Sequence, residues 1–300
     1  MKKILSYLFL VVVFFSTKLF AQSTPGFQEK LDEELKALSN IQIPELKTDS
    51  SFRAKGNLKR SYFFADAGQK MPYRLYVPTN YQVGKTPLIV LLHGGGGNEN
   101  SLVERSNKIS LLLAEKYGFI VLSPLGFSPL GAYGTPLRLP AVFGKPDEQA
   151  KQKAVFATDT TRQKLLALSE KEILSVLEIV MKEYQPDPKN IFLAGHSMGS
   201  GGTWYLGAKY AEKWKAIAPM SGPFIDESNY PWANLKTKPI FMSEGTGATP
   251  SLESSRLLAK YLEKEHFNVQ YKEVEANHGE MTSLIFPAVF DFFNKQLQIK

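Results

Sequence analysis

The chain has 300 residues, an ordinary apolar content of 43% and a formal charge of +7, to which Lys2, Lys3 and Lys18 contribute near the start. That length suits one large α/β domain better than two small ones, and the mixture of apolar and polar residues along the chain excludes a disordered polypeptide. No cysteine is present, which excludes disulfides, Cys-type zinc sites, a cysteine nucleophile and a lipid-anchored N-terminus, and the basic residues are interleaved with acids, which argues against a nucleic-acid surface.

Met1–Ala21 has the form of a secretory signal peptide. Lys2 and Lys3 precede an apolar stretch from Ile4 to Phe15 that is too short to span a bilayer comfortably. Leu19-Phe20-Ala21 ends in a small residue, so cleavage is expected before Gln22, with an uncleaved anchor as the alternative and no stable membrane insertion once the leader is removed. Residues 22–56 are expected to form an N-terminal helix and linker. Gln28–Leu38 carries Leu31, Leu35 and Leu38 at helical spacing, and Pro44 with the polar run Lys47–Lys55 follows. This arm is expected to pack on the surface and to carry no chemistry. Residues 57–300 are expected to be the α/β domain itself.

From Ser61 the pattern changes to β-rich runs, Ser61–Phe64 and Tyr73–Val77, around a Gly68 turn. Pro87–Leu92 is continuously apolar, as befits a strand buried on both faces, and ends in His93-Gly94-Gly95-Gly96-Gly97. Ser101 with Glu104 forms a capping-box pattern for a helix reaching Tyr117, and Phe119–Leu122 is the next strand. Gly126–Arg162, rich in Gly, Pro, aromatics and then charge, is a long excursion in which Tyr133, Leu137, Leu139 and Phe143 either line a pocket or pack on the fold. Ser169 with Glu172 again suggests a capping box, ahead of a helix bearing Ile173, Val176, Leu177, Val180 and Met181. Strands follow at Asn190–Ala194, Trp214–Pro219, Pro239–Met242 and Val269–Val274, and helices at Ser200–Lys213, from Pro250 onward, and at Thr282–Gln296. Strands alternating with helices predict a mostly parallel central sheet with helices on both faces.

The chemistry concentrates at the ends of these strands. Asn190–Ala194 runs into Gly195-His196-Ser197-Met198-Gly199 and then a helix, which is the nucleophile-elbow context for Ser197. The backbone N–H of Met198, at the helix start, then faces the place where an oxyanion would form. Gly94–Gly97 supply the second donor of an oxyanion hole, with Gly95 preferred and Gly94 next; no Gly-Lys-Ser/Thr ending supports a phosphate loop. A serine hydroxyl needs a base. His278, after the last strand in Glu275-Ala276-Asn277-His278-Gly279, is the choice, whereas His196 packs under the site, His93 braces the glycine loop and His266 is solvated. For the orienting acid, Glu244 in Ser243-Glu244-Gly245-Thr246-Gly247-Ala248 is the candidate and Asp226 the reserve.

Leu91–Asn98, Asp187-Pro188, Gly195–Gly199 and Asn277-His278-Gly279, in that order, make the chain from about Ser61 onward resemble secreted serine esterases of the α/β-hydrolase fold. That group includes feruloyl and acetyl-xylan esterases, polyhydroxybutyrate depolymerases, and dienelactone-hydrolase and prolyl-oligopeptidase-like relatives. The resemblance implies an α/β-hydrolase fold, Ser197 as nucleophile, His278 as base, an acyl-enzyme intermediate, a small-molecule or oligomeric ester as substrate, and no metal or organic cofactor. Relatives carry a Gly-x-x-Asp acid loop, whereas here Gly245-Thr246-Gly247 is followed by Ala248. That departure leaves three possibilities: Glu244 takes over, the acid is elsewhere, or the triad is impaired. A peptidase with the same machinery and a catalytically silent binding protein on this fold are the alternative functions.

Overall fold

The computed structural model describes residues 23–135, 160–225, 230–249 and 251–298; the expected leader, Asp226, Pro250, Leu137, Leu139 and Phe143 lie outside them. The apolar runs pair into one eight-stranded sheet of order β1-β2-β4-β3-β5-β6-β7-β8. Its strands are β1 Gly56–Phe64, β2 Gln69–Val77, β3 Leu88–Leu92, β4 Ile120–Pro124, β5 Ile191–His196, β6 Ala216–Met220, β7 Ile240–Gly245 and β8 Val269–Val274. β1, β2 and β4 meet antiparallel, and every pairing from β4 across to β8 is parallel. This is the mostly parallel sheet with helices on both faces that the alternation of elements anticipates, and the α/β-hydrolase fold that the resemblance implies.

Among the described residues the helices are α1 Phe27–Lys36, α2 Arg105–Tyr117, α3 Thr160–Tyr184, α4 Met198–Lys209, α5 Leu252–Lys264 and α6 Met281–Leu297. Strand alternation divides the apolar residues between two faces. Leu88, Val90, Leu92, Leu193, Ile217 and Ile240 join residues of α3, α4 and α5 in one core cluster. Ile89, Leu91, Phe192, Ala194, Ala218 and Phe241 join α1, α2 and α6 in the other. The central strands are therefore fully buried because each contributes to both cores, and their C-terminal ends converge on one edge. None of these helices is long and apolar enough to cross a membrane.

Two helix starts differ from the sequence reading. α2 begins at Arg105, and Ser101 Oγ accepts the Asn98 N–H (2.9 Å) in the preceding turn instead of capping the helix. α3 begins at Thr160, so Ser169 and Glu172 lie inside it. They have been drawn into tertiary bonds: Ser169 Oγ donates to Gly126 O (2.6 Å) and accepts the Tyr133 N–H (3.0 Å), while Glu172 accepts the Gly126 N–H (2.9 Å) and the Tyr62 hydroxyl (3.2 Å). A serine three residues before a glutamate satisfies the capping pattern, but here both side chains hold a loop.

Candidate active site

β5 delivers Ser197 at its C-terminal end, with φ 57° and ψ −114°, immediately before α4. Serine tolerates this left-handed turn only because its neighbours are pressed together. A Cβ on Gly195 would lie 2.2 Å from Gly199 O, and one on Gly199 would lie 2.2 Å from Leu92 O, so no larger residue fits at either position. The Ser197 N–H donates to Met220 O (2.9 Å), and Thr203 Oγ1 donates to Gly199 O (2.8 Å), fixing the elbow from β6 and from within α4.

The glycine loop after β3 lies across this elbow. A Cβ on Gly94 would meet Ser197 Cβ at 3.4 Å, and one on Gly95 would meet Met198 Cβ at 3.8 Å. Gly95 and Met198, the expected oxyanion donors, are thus brought side by side next to Ser197. The Gly96 N–H is already used, donating to Pro129 O (2.8 Å). His93 is buried beneath the loop, with Nε2 2.9 Å from Leu125 O, and the Tyr133 hydroxyl donates to His93 O (3.0 Å). Tyr133 therefore packs inside the fold, against Gly202 and Gly126.

His278 follows β8, and its Nε2 lies 2.8 Å from Ser197 Oγ. Burial, and then the positive charge of Arg105, push its imidazole down to about 4, so it is neutral and able to accept a proton at neutral pH. His196 supports it from below. The two rings lie 4.7 Å apart, and His196 Nε2 is 2.8 Å from His278 O. The His278 N–H donates to Ala248 O (3.4 Å), so the residue in the aspartate's place contacts the base through its backbone.

Glu244 reaches His278 by a route the sequence did not suggest. It is fully buried at the end of β7, and Ser221 stands between it and the imidazole. Ser221 Oγ is 2.7 Å from His278 Nδ1 and donates to Glu244 Oε1 (2.5 Å). The expectation that Glu244 itself holds the imidazole is corrected accordingly: the carboxylate orients a hydroxyl, and the hydroxyl meets the ring. Glu244 also accepts the hydroxyls of Ser251 (2.8 Å) and Ser255 (2.7 Å) and the Gly245 N–H (3.2 Å). Burial raises its pKa, and these donors act against that rise by stabilising the charged form. Ser221 itself has φ 58° one residue beyond β6, its N–H donating to Ser243 O (2.8 Å). A polar residue at the C-terminal end of a buried strand next to the elbow strand was the available signal. The reserve acid, Asp226, lies outside the described residues. Among the described residues no cluster of His, Cys, Asp and Glu is arranged to hold a metal ion.

Comparison with known proteins places this geometry. The sequence profile of the Esterase family matches residues 65–261, a span that includes Ser197, Ser221 and Glu244 and stops before His278. A bifunctional acetylxylan esterase/xylanase from Neocallimastix patriciarum is 26% identical over 60% of this chain, and the match spans 22% of that protein. An S-formylglutathione hydrolase from Bos taurus is 25% identical over 60% of this chain, and that match spans 63% of the relative. Among solved structures, the ferulic acid esterase of Anaeromyces mucronatus in complex with ferulic acid superposes with a TM-score of 0.57 at 17% identity, covering 85% of this chain and 100% of that one. The structural likeness carries the fold.

Proposed function

The chain belongs to the Esterase family, and from that premise we propose that it is an exported serine hydrolase that cleaves carboxylic esters through an acyl-enzyme. The observation that carries the reading is the 2.8 Å approach of His278 Nε2 to Ser197 Oγ at a strained elbow turn. His278 in its Nδ1–H tautomer donates to Ser221 and accepts the Ser197 proton at Nε2. Ser197 Oγ then bonds to the ester carbonyl carbon, and the carbonyl electron pair becomes an oxyanion held by the N–H groups of Gly95 and Met198. Collapse expels the alkoxide, which takes the proton from His278. Water, deprotonated by the same imidazole, opens the acyl-enzyme and returns Ser197. Glu244 balances the transient imidazolium charge through Ser221.

The relatives named for acetylxylan, S-formylglutathione and ferulic acid support a carboxylic acyl group as the transferred unit. Export rests on the leader-like Met1–Ala21 and is consistent with a chain that needs no disulfide. The test is fluorophosphonate labelling of the purified protein, together with hydrolysis of short p-nitrophenyl esters. Both are expected in the wild type and lost in Ser197→Ala and His278→Ala. A folded wild type that neither labels nor turns over would overturn the reading and favour a silent binding protein on this fold.

A further inference from the structure

The turn that carries His278 is tied to the N-terminal arm. Within the turn, Asn277 Oδ1 accepts the N–H groups of Gly279 (3.0 Å) and Glu280 (2.9 Å). Besides His196, Ala248 and Arg105, which contact the backbone of His278 and Gly279, further anchors come from the other end of the chain. Thr24 Oγ1 accepts the Asn277 N–H (2.8 Å) across 253 positions of sequence. The Glu280 carboxylate accepts the Ser23 hydroxyl (2.6 Å) and the Thr24 N–H (3.1 Å). Thr24 O accepts the Phe27 N–H (3.0 Å), which starts α1, and Leu31 of α1 is buried in the same core cluster as Ala276 and Met281 on either side of the turn. Lys30 pairs with Glu275 at 2.6 Å. Thr24 thus both gives and receives a hydrogen bond at the turn, and the N–H it holds is that of Asn277, the residue immediately before His278, in the Ala276–Asn277 peptide.

We propose that Thr24, with Ser23, is a positioning residue for His278: the N-terminal arm is a strap that fixes the Asn277–Glu280 turn so that the imidazole faces Ser197. The role rests on the serine-esterase reading and adds to it a segment far from the chemistry in sequence. Removing the Thr24 hydroxyl takes away the short bond to the Asn277 N–H, leaves that N–H its long bond to the Glu280 carboxylate (3.5 Å), and lets the peptide rotate. An imidazole displaced by a fraction of an ångström binds substrate normally and transfers protons poorly.

The experiment uses the full mature chain with Thr24→Val, which keeps the shape and removes the acceptor, and Thr24→Ser, which keeps the acceptor. In Thr24→Val, kcat per fluorophosphonate-titrated site is expected to fall about 10-fold or more, with KM changed less than about 2-fold. Thr24→Ser is expected to restore most of the loss. In parallel, hydrogen exchange of the peptide covering residues 275–281 is measured in a Ser197→Ala background. There Thr24→Val should speed exchange at Asn277 while Thr24→Ser does not. A wild-type kcat in Thr24→Val, or a lower melting midpoint with kcat per site unchanged, overturns the strap. Should the wild type fail to turn over esters, the exchange result still reads the strap by itself: unchanged exchange in Thr24→Val overturns it, and faster exchange supports the contact while the esterase reading fails alone.

Discussion

A hydroxyl placed between a carboxylate and an imidazole changes what each substitution should do. Ser221 passes the field of Glu244 to His278, so Ser221→Ala and Glu244→Gln break the same chain of bonds. Hydrogen bonds involving a charged group are worth about 1.5–3 kcal/mol, so each single variant is expected to lose on the order of 10–150-fold in kcat, and the double variant little more. Ser221→Asp combined with Glu244→Gln would set a carboxylate directly on Nδ1 at a backbone position that Asp tolerates, and should recover activity above Glu244→Gln alone. Steady-state kinetics on one ester decides this, and full additivity of Ser221→Ala and Glu244→Gln would refute the relay. The imidazole makes a second prediction. Because burial and then Arg105 hold His278 down to about 4, the acid limb of kcat/KM should fall near pH 4 and not near 6.5. Arg105→Gln should move that limb upward, while Arg105→Lys, keeping the charge, should leave it. At this scale Ser197 and His278, which the structure brings within 2.8 Å of each other, were legible as a candidate pair because their motifs are local. Ser221 was not, because its meaning depends on β6 lying between β5 and β7, which no single stretch of sequence encodes.

The loop after β4 shows how an element is held by another element's side chains. Glu172 of α3 is buried, and its pKa is pushed up to about 7 by that burial, with the N–H of Gly126 and the Tyr62 hydroxyl acting against the rise. The folded protein therefore binds this proton more tightly than the unfolded chain does. The associated stability is fully present below about 4.5 and is lost as pH rises through about 7. Glu172→Gln removes this dependence, so its melting midpoint relative to wild type should improve between pH 5 and pH 8; a difference that stays constant across that range refutes the assignment. The elbow gives the complementary case. Gly195→Ala and Gly199→Ala put a methyl 2.2 Å from backbone oxygens, and either should abolish fluorophosphonate labelling through local distortion or misfolding. The central strands were read correctly as elements because apolar runs buried on two faces leave a plain signature. Helix starts were read less well. Ser169 and Glu172 satisfy the capping pattern while serving a loop some 40 residues earlier, with separations of 43 and 46 positions, and local pattern alone does not separate the two uses.

Across the whole molecule, stability and catalytic competence are expected to sit in different places. The sheet and the helices on both its faces share a large core, and a deep opening would have to disrupt many buried residues. The arm has fewer anchors: Leu31 and Leu38 are buried, but most of α1 is polar and solvent-facing. Segments with few buried apolar contacts open with less free energy than the core. If the arm straps the His278 turn, mild denaturant should release the strap before the core unfolds, and esterase activity should decline first. Trp204 and Trp214 report the other event, since both are buried in the cluster formed with α3, α4 and α5, on the face opposite α1. A urea titration that follows ester hydrolysis and tryptophan fluorescence on the same samples should therefore give two midpoints, activity at the lower concentration. Thr24→Val should bring down the activity of the folded protein while leaving the fluorescence midpoint close to wild type. Coincident transitions in the wild type would mean that the arm opens only with the core, and the N-terminal segment would then be an integral part of the folding unit that the parallel strands define.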